Sequence, residues 1–141
     1  MTLDEAIKFR KIVENAASNL PDAEAVQANA LFELWSEKKG FGIGDRVRYN
    51  GALYRCYNPV TANPEWTPDV TPAHWEVFTF GESGTQDDPI TAARGMRYFI
   101  NFFYMDNEKI YKCVRDDTGD GTRLDYLPGE LVGNYFEEVA V

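Results

Sequence analysis

Trp66 is the residue of this sequence best suited to contact a ligand. It lies in segment 64–69, where two prolines and two carboxylates indicate an exposed loop rather than a buried element. An indole ring held by neighbouring prolines offers a flat apolar surface and loses little conformational entropy when it binds. The alternative is that the ring folds against the second half of the chain. The sequence therefore predicts an exposed aromatic platform, with burial as the competing interpretation.

Residue types that support catalysis or metal binding occur without the partners that such chemistry needs. His74 is the only histidine, and we expect it to have a surface or packing role. Asp87–Asp88 and Asp116–Asp117 lie in Gly-rich segments, where solvated turns are typical. Asp116 and Asp120 fit part of a calcium loop, but Leu127 stands where an EF-hand needs its last oxygen ligand. The sequence thus predicts no enzyme, no cofactor and no metal site.

The chain is acidic, with a net charge of −9 from 14 Lys and Arg against 23 Asp and Glu. Such a surface repels phosphate backbones and anionic lipid, so we expect no nucleic-acid partner. A neutral polymer such as a glycan meets no such repulsion. No apolar run reaches the roughly 20 residues that span a bilayer, and the N-terminus lacks the apolar region of a signal peptide. We therefore predict a chain that is made in the cytoplasm without membrane insertion, and that either stays there or leaves by a route that needs no signal, such as cell lysis.

The two cysteines, Cys56 and Cys113, are too few for a disulfide scaffold. Tyr54 and Cys56 share one face of a predicted strand, and Arg55 lies on the other. We therefore expect both cysteines in core positions, and their redox state stays open. A disulfide between Cys56 and Cys113 would be geometrically awkward. It would require core positions from the two halves of the β region to touch.

Residues 3–18 have the pattern of a helix that begins with a Thr2–Glu5 capping box. A heptad-type seam runs along this helix and consists of Ala6, Phe9, Val13, Ala16 and Leu20. Two interpretations stay open, because two heptads are too short to form a coiled coil alone. Either the seam packs on the chain's own β domain, or it pairs with copies of itself and makes a dimer or trimer. Pro21 ends the helix, and a short helical turn follows from Asp22.

The sequence then changes to strand patterns separated by turns. Residues 46–49 alternate with period two, and residues 53–56 form the return strand. Asn50–Gly51 between them is the strongest hairpin signal, because a type I′ turn needs positive φ at both central residues. Strand patterns resume at residues 98–104 and 109–114.

An internal repeat relates the two halves of the β region. Ordered matches recur at a nearly constant offset, and the small difference falls in a Gly/Asp-rich loop. The matched segments are 50–56 with 107–113, 66–68 with 126–128, and 75–77 with 135–137. The repeat predicts two copies of one supersecondary unit.

These patterns predict an α+β fold that is mainly β: an N-terminal helix followed by two small related antiparallel β modules. The predicted divisions are a helical segment at 1–34, a first β module at 35–80, a linker or loop at 81–97, and a second, divergent β module at 98–141.

Aromatic, glycine and proline residues recur between residues 35 and 78 in a specific order and spacing. They are Trp35, Phe41, Gly44–Asp45, Val47, Tyr49–Gly51, Tyr54–Cys56, Trp66–Pro68 and Trp75. This pattern resembles the carbohydrate-binding modules of family 5/12, the chitin-binding type found in bacterial chitinases. The resemblance implies a small β module that binds a glycan polymer of chitin or cell-wall type and does not cleave it.

The resemblance also implies roles for individual residues, with the sugar ring stacked on Trp66. Pro68 and Pro72 correspond to rigid surroundings, Thr61 to a polar neighbour, and Tyr57 widens the aromatic platform. The predicted binding residues are thus Trp66, Pro68, Tyr57, Thr61 and Pro72.

The resemblance places Trp35 and Trp75 in the core of the module. Val60 departs from the family, which often has a histidine at that position. In the second module, Tyr126 and Pro128 are the candidate residues of a further, weaker site, and the alternative is that this module is structural.

The whole layout resembles small proteins encoded near the tail genes of phages of gut Firmicutes. This resemblance implies a virion-associated adhesin for host glycan, with copies joined through the N-terminal helix to raise avidity. The alternative is a structural virion adaptor or decoration protein that keeps the module fold but contacts protein. The rings of Trp66 and Tyr57 distinguish the two, since burial in a subunit contact would favour the adaptor.

Overall fold

A computed structural model of the chain describes residues 2–139, which are mainly β with helices near the N-terminus and three small sheets. The helices are α1, Leu3–Ala17, and α2, Asp22–Gln27. The strands are β1, Arg46–Tyr49; β2, Ala52–Cys56; β3, Trp75–Thr79; β4, Ile90–Thr91; β5, Met96–Tyr98; β6, Phe103–Asp106; β7, Lys109–Cys113; β8, Thr122–Leu124; and β9, Phe136–Val139. Neither helix in this part of the chain could span a bilayer.

Helix α1 begins as predicted, because the Thr2 hydroxyl accepts a hydrogen bond from the Glu5 backbone N–H at 3.1 Å. Its C-terminal half contacts the body of the protein. Arg10 donates to the carbonyl of Ala30 at 3.0 Å, and Ala17 is buried. The helix is therefore held at its C-terminal end, and its first turns are exposed.

The predicted seam of α1 is only partly covered. Val13 and Leu20 are half-buried, whereas Ala6, Phe9 and Ala16 are exposed. Three further apolar side chains of the helix also face solvent, and these are Leu3, Ile7 and Ile12. Packing on the β region accounts for one end of the seam and leaves the other end free.

The first sheet has the strand order β1-β2-β3, and both pairs are antiparallel. Asn50 and Gly51 join β1 to β2 with φ of 50° and 82°, as the hairpin signal predicts. Both faces of β2 are covered, because Leu53 packs into one apolar cluster and Cys56 into another. The sheet is therefore an internal layer rather than a surface.

The second sheet has the order β4-β6-β7-β9. The sequence predicts an antiparallel sheet, but this one is mixed. Its β6–β7 hairpin turns at Asn107 and Glu108, both with positive φ, and β7 pairs antiparallel with β9. Strand β4, however, pairs parallel with β6. Strands β5 and β8 form a separate antiparallel pair.

Segment 81–97 contains two strand segments rather than a bare linker. Ile90 in β4 and Met96 in β5 have no exposed surface. Gly84 has φ of 84°, and a Cβ there would lie 2.5 Å from the ring of Phe102. The glycines and polar residues that suggested a loop thus permit tight turns between buried positions.

The larger apolar cluster joins all parts of the chain. Phe32 of the N-terminal segment packs with Leu53 and Phe78 of the first sheet and with Tyr104 and Phe136 of the second. The smaller cluster lies on the other face of the first sheet and consists of Phe41, Val47, Ala52, Tyr54, Cys56, Val60 and Trp75.

Ion pairs with little exposure connect the N-terminal segment, the first sheet and strand β5. Arg46 lies 3.1 Å from Asp22, and Arg97 lies 2.8 Å from Glu76. Arg55 stands between them, 3.6 Å from Asp22 and 3.7 Å from Glu76. The Glu76 side chain is only 4% exposed, so its charge depends on these arginines for stabilisation.

Cys56 and Cys113 are free thiols in buried positions, as the strand alternation predicts. Each S–H donates to a carbonyl two residues along the chain, Asn58 at 3.1 Å and Arg115 at 3.4 Å. Burial raises the pKa of both thiols, that of Cys113 to about 11. Both therefore stay protonated and unreactive at neutral pH.

Candidate ligand-binding surface

The Trp66 loop is the segment 57–74, which connects β2 to β3. Backbone hydrogen bonds close its base, where the Tyr57 N–H donates to the His74 carbonyl at 2.9 Å. Phe41 and Val60 exchange two backbone hydrogen bonds of 2.9 and 3.0 Å, which tie the start of the loop to the segment before β1. These contacts make the loop a fixed part of the first module.

The tip of the loop is held by short-range turns. The Asn63 side chain accepts the Glu65 N–H at 2.9 Å, and the Trp66 N–H donates to the Asn63 carbonyl at 3.2 Å. A single 3-10 turn follows at Pro68–Val70. Pro68 is fully buried, so this proline fixes the loop from beneath and is not a contact surface.

Trp66 is supported from one side by His74. The two rings are stacked, with centroids 6.0 Å apart and an interplanar angle of 18°. His74 Nδ1 lies 3.0 Å from the Asn58 carbonyl, which fixes the imidazole in the loop. Trp66 remains 42% exposed. The ring therefore still presents surface on which a flat ligand can stack, in addition to the contact with His74.

Sequence reasoning gave His74 a surface or packing role but did not connect it with Trp66. The contact depends on the loop returning on itself, so the two rings meet although eight positions separate them in the sequence. The available signal was the position of His74 directly before β3, opposite the residue that follows β2.

Tyr57 and Pro72 lie together at the side of the loop. The Tyr57 hydroxyl donates to the Pro72 carbonyl, and the ring of Tyr57 is half-buried under the guanidinium of Arg123 at 4.7 Å. Pro72 and Thr61 are exposed. The structure thus places four predicted site residues at the surface, wholly or in part: Trp66, Tyr57, Thr61 and Pro72.

The second module does not repeat this arrangement at Tyr126 and Pro128. Tyr126 is 55% exposed, and Pro128 is fully buried like Pro68. The Tyr135 carbonyl accepts a hydrogen bond from the Val114 N–H, as the His74 carbonyl does from the Tyr57 N–H. Tyr135 therefore takes the place of His74. Its ring lies 4.7 Å from the guanidinium of Arg115 instead of under an aromatic ring. Tyr126 therefore lacks the support that Trp66 has.

The register of the two sheets differs in one detail from the predicted repeat. Trp75 pairs with Cys56, and Phe136 pairs with Cys113. The counterpart of Trp75 is therefore Phe136, whereas the sequence match assigned Tyr135. An alignment by residue type favoured the tyrosine, but the strand pairing places the buried Phe136 in the core position.

The acidic loop after β7 satisfies its own carboxylate. Asp116 accepts hydrogen bonds from the backbone N–H groups of Thr118, Gly119 and Gly121. Burial alone would raise the pKa of Asp116, but these hydrogen bonds lower it below its usual value. No group of three or more His, Cys, Asp or Glu side chains within residues 2–139 could hold a metal ion.

Comparisons with known proteins support the family resemblance of the first module. Residues 34–76, which include the whole Trp66 loop, match carbohydrate-binding module family 5/12, a family of non-catalytic binding modules. The chain is 43% identical over 42 residues to Streptogrisin-C of Streptomyces griseus, covering 30% of this chain and 9% of that protein. It is 27% identical over 85 residues to Chitinase A1 of Niallia circulans. That alignment covers 55% of this chain and 12% of the chitinase.

The family match is confined to residues 34–76, and the chain spans only a small part of the length of these relatives. The family match ends at Glu76, inside strand β3. The second sheet and helix α1 lie outside it.

Proposed function

We propose that this protein binds a chitin-type glycan without cleaving it, and that Trp66 is the ring on which the sugar stacks. One observation carries the proposal: Trp66 is exposed and supported by His74 in a loop that lies within the family match. One of the relatives is named a chitinase, which favours chitin as the class of glycan.

The chemistry of the loop suits this ligand. The C–H groups on one face of a pyranose ring form a flat apolar surface, and an indole held in a fixed orientation loses little entropy on stacking. Thr61 of the same loop is exposed and offers a hydroxyl group to a ligand. The negative net charge does not oppose a neutral polymer.

The test is retention of the wild-type protein on insoluble chitin, with cellulose as the matched polymer. We expect saturable retention on chitin that soluble oligosaccharides of N-acetylglucosamine displace. Retention on neither polymer, or retention that these oligosaccharides do not displace, contradicts the proposal.

The second module is, in this proposal, a divergent structural copy of the first. Strands β6, β7 and β9 have the order and pairing of β1, β2 and β3, and a 3-10 turn begins at Pro128 as at Pro68. The unsupported ring of Tyr126 favours a structural role over a second glycan site.

Helix α1 joins copies of the chain in a dimer or trimer, which raises avidity for a polymer. Its exposed apolar residues, Phe9 and Ile12 among them, support this part of the proposal. We expect the wild type to be oligomeric by size-exclusion chromatography with light scattering, and Phe9→Glu to be monomeric because a charge there cannot be buried. Lys8→Glu is the matched control and keeps the wild-type mass. A monomeric wild type at high concentration contradicts oligomerisation through α1.

The setting we propose is a phage tail, where the protein acts as an adhesin for the host glycan, on the strength of the layout described above. The alternative is a virion adaptor that contacts protein, and the exposed apolar residues of α1 favour it. The exposure of Trp66 favours the adhesin. Binding of purified tails to host cell wall, and its inhibition by the isolated protein, distinguishes them.

A further inference from the structure

A groove lies between the two modules, beside the Trp66 loop. Its volume is about 350 Å³, at the lower end of the roughly 300–1,000 Å³ typical of ligand sites. The first module contributes Tyr54, Pro72 and Trp75 to its lining, and the second contributes Arg123 and Asp125. The residues of the second wall come after residue 76, where the family match ends. Only the first wall of the groove therefore lies within that match.

The wall from the first module combines aromatic rings with hydrogen-bond donors. Trp75 is 3% exposed, and its indole N–H has no hydrogen-bond partner within residues 2–139. An unpaired buried donor of this kind is unusual, and here it belongs to a residue that lines the groove. Burial and the nearby carboxylate of Asp69 raise the pKa of the Tyr54 hydroxyl, which therefore stays protonated and able to donate.

The wall from the second module is polar and of mixed charge. Arg123 Nε donates to the Gly95 carbonyl at 3.3 Å, and Asp125 lies 3.9 Å from the guanidinium. The side chains of Arg123 and Asp125 are 38% and 78% exposed. A guanidinium has five N–H donors, so Arg123 keeps donors for a ligand after its contact with Gly95.

The groove is continuous with the platform at Trp66. Pro72 belongs both to the Trp66 loop and to the lining of the groove. Tyr57 bridges the two, since its hydroxyl donates to Pro72 and its ring lies under Arg123. Trp66 and part of the groove wall thus belong to the same loop, with Tyr57 in contact with both Pro72 and Arg123.

We propose that this groove is a second subsite for the same glycan chain, which takes a neutral sugar unit beyond the reach of a disaccharide stacked on Trp66. Arg123 donates to a hydroxyl or acetamido oxygen of that unit, and Trp75 and Tyr54 form the aromatic wall. The groove holds both arginine and carboxylate side chains, so it suits a neutral sugar better than an anionic one. This inference rests on the proposed function.

The experiment compares a disaccharide with a hexasaccharide of N-acetylglucosamine by isothermal titration calorimetry. The wild type binds the hexasaccharide more tightly. Arg123→Ala lowers hexasaccharide affinity roughly tenfold, as the loss of one charge-assisted hydrogen bond predicts, and leaves disaccharide affinity unchanged. Arg115→Ala is the matched control, because Arg115 stacks on Tyr135 at the same distance of 4.7 Å but lies outside the groove.

A second readout follows the indole N–H signal of Trp75 by NMR. The chain has only three tryptophans, so this signal can be assigned by Trp→Phe substitution. It shifts with the hexasaccharide and stays in place with the disaccharide. The readout also reports on the groove if Arg123→Ala proves unstable.

Each outcome decides between the two proposals. Equal wild-type affinity for both oligosaccharides, or an equal loss for both in Arg123→Ala, overturns the subsite and leaves glycan binding at Trp66 intact. An unchanged hexasaccharide affinity in Arg123→Ala, with a static Trp75 signal, has the same meaning. Failure of the wild type to bind either oligosaccharide overturns the proposed function and the subsite together.

Discussion

Replacing Trp66 with alanine is expected to weaken glycan binding by about 2 kcal/mol or more, roughly thirtyfold, without loss of the fold. The indole is the exposed half of a stacked pair, and its removal leaves only the His74 ring, which is smaller and held against the Asn58 carbonyl. The fold survives because the loop is held by its backbone bonds and by buried Pro68, none of which needs the indole.

The measurement is calorimetric titration with a chitin oligosaccharide, accompanied by thermal unfolding to check the fold. Tyr126→Ala is the matched control, since Tyr126 is a comparably exposed aromatic residue at the equivalent position of the second module. It is expected to bind like the wild type. Wild-type affinity in Trp66→Ala would remove the stacking mechanism, and an equal loss in Tyr126→Ala would point to a site in both modules.

Replacing Glu76 with alanine is expected to lower the free energy of unfolding by about 3–5 kcal/mol. The carboxylate lies between Arg55 at 3.7 Å and Arg97 at 2.8 Å, and its side chain is 4% exposed. Its loss leaves two poorly solvated arginines beside each other without their shared counter-ion. Since the stability of a domain is about 5–15 kcal/mol, the change removes a large part of it.

Urea denaturation followed by tryptophan fluorescence measures this effect. Glu33→Ala is the control, because Glu33 forms an ion pair of 3.0 Å with Lys39, but both side chains are largely exposed, 40% and 53%. Exposed pairs contribute about 0–1 kcal/mol. A loss in Glu76→Ala no larger than that in Glu33→Ala would mean that the pairs around Glu76 are not important for stability.

Locally determined features could be predicted from the sequence. The hairpin at Asn50–Gly51 follows from positive φ at two adjacent residues, and the start of α1 from the side chain of Thr2. The exposure of Trp66 follows from the prolines and carboxylates next to it. In each case the determinant lies within a few residues of the feature.

Features that depend on distant parts of the chain could not be predicted in this way. The parallel pairing of β4 with β6 uses a two-residue strand inside a segment that has a loop-like composition. The stacking of His74 on Trp66, and the position of Arg123 over Tyr57, require the folded loop and the docked second module. Sequence patterns describe neighbouring residues, so they do not predict contacts between residues that are distant along the chain.

The shared apolar cluster limits how this binding unit can be exchanged between proteins. Leu53 and Phe78 have no exposed surface, and Phe78 packs on Phe99 of the second module at 5.2 Å. A fragment ending at residue 76 would lack Phe78 and would open Leu53 to water, at a cost of about 1.5–3 kcal/mol for each such side chain. Transplanting the Trp66 loop onto another carrier therefore requires a partner surface that covers Leu53 and Phe78 in place of the second module.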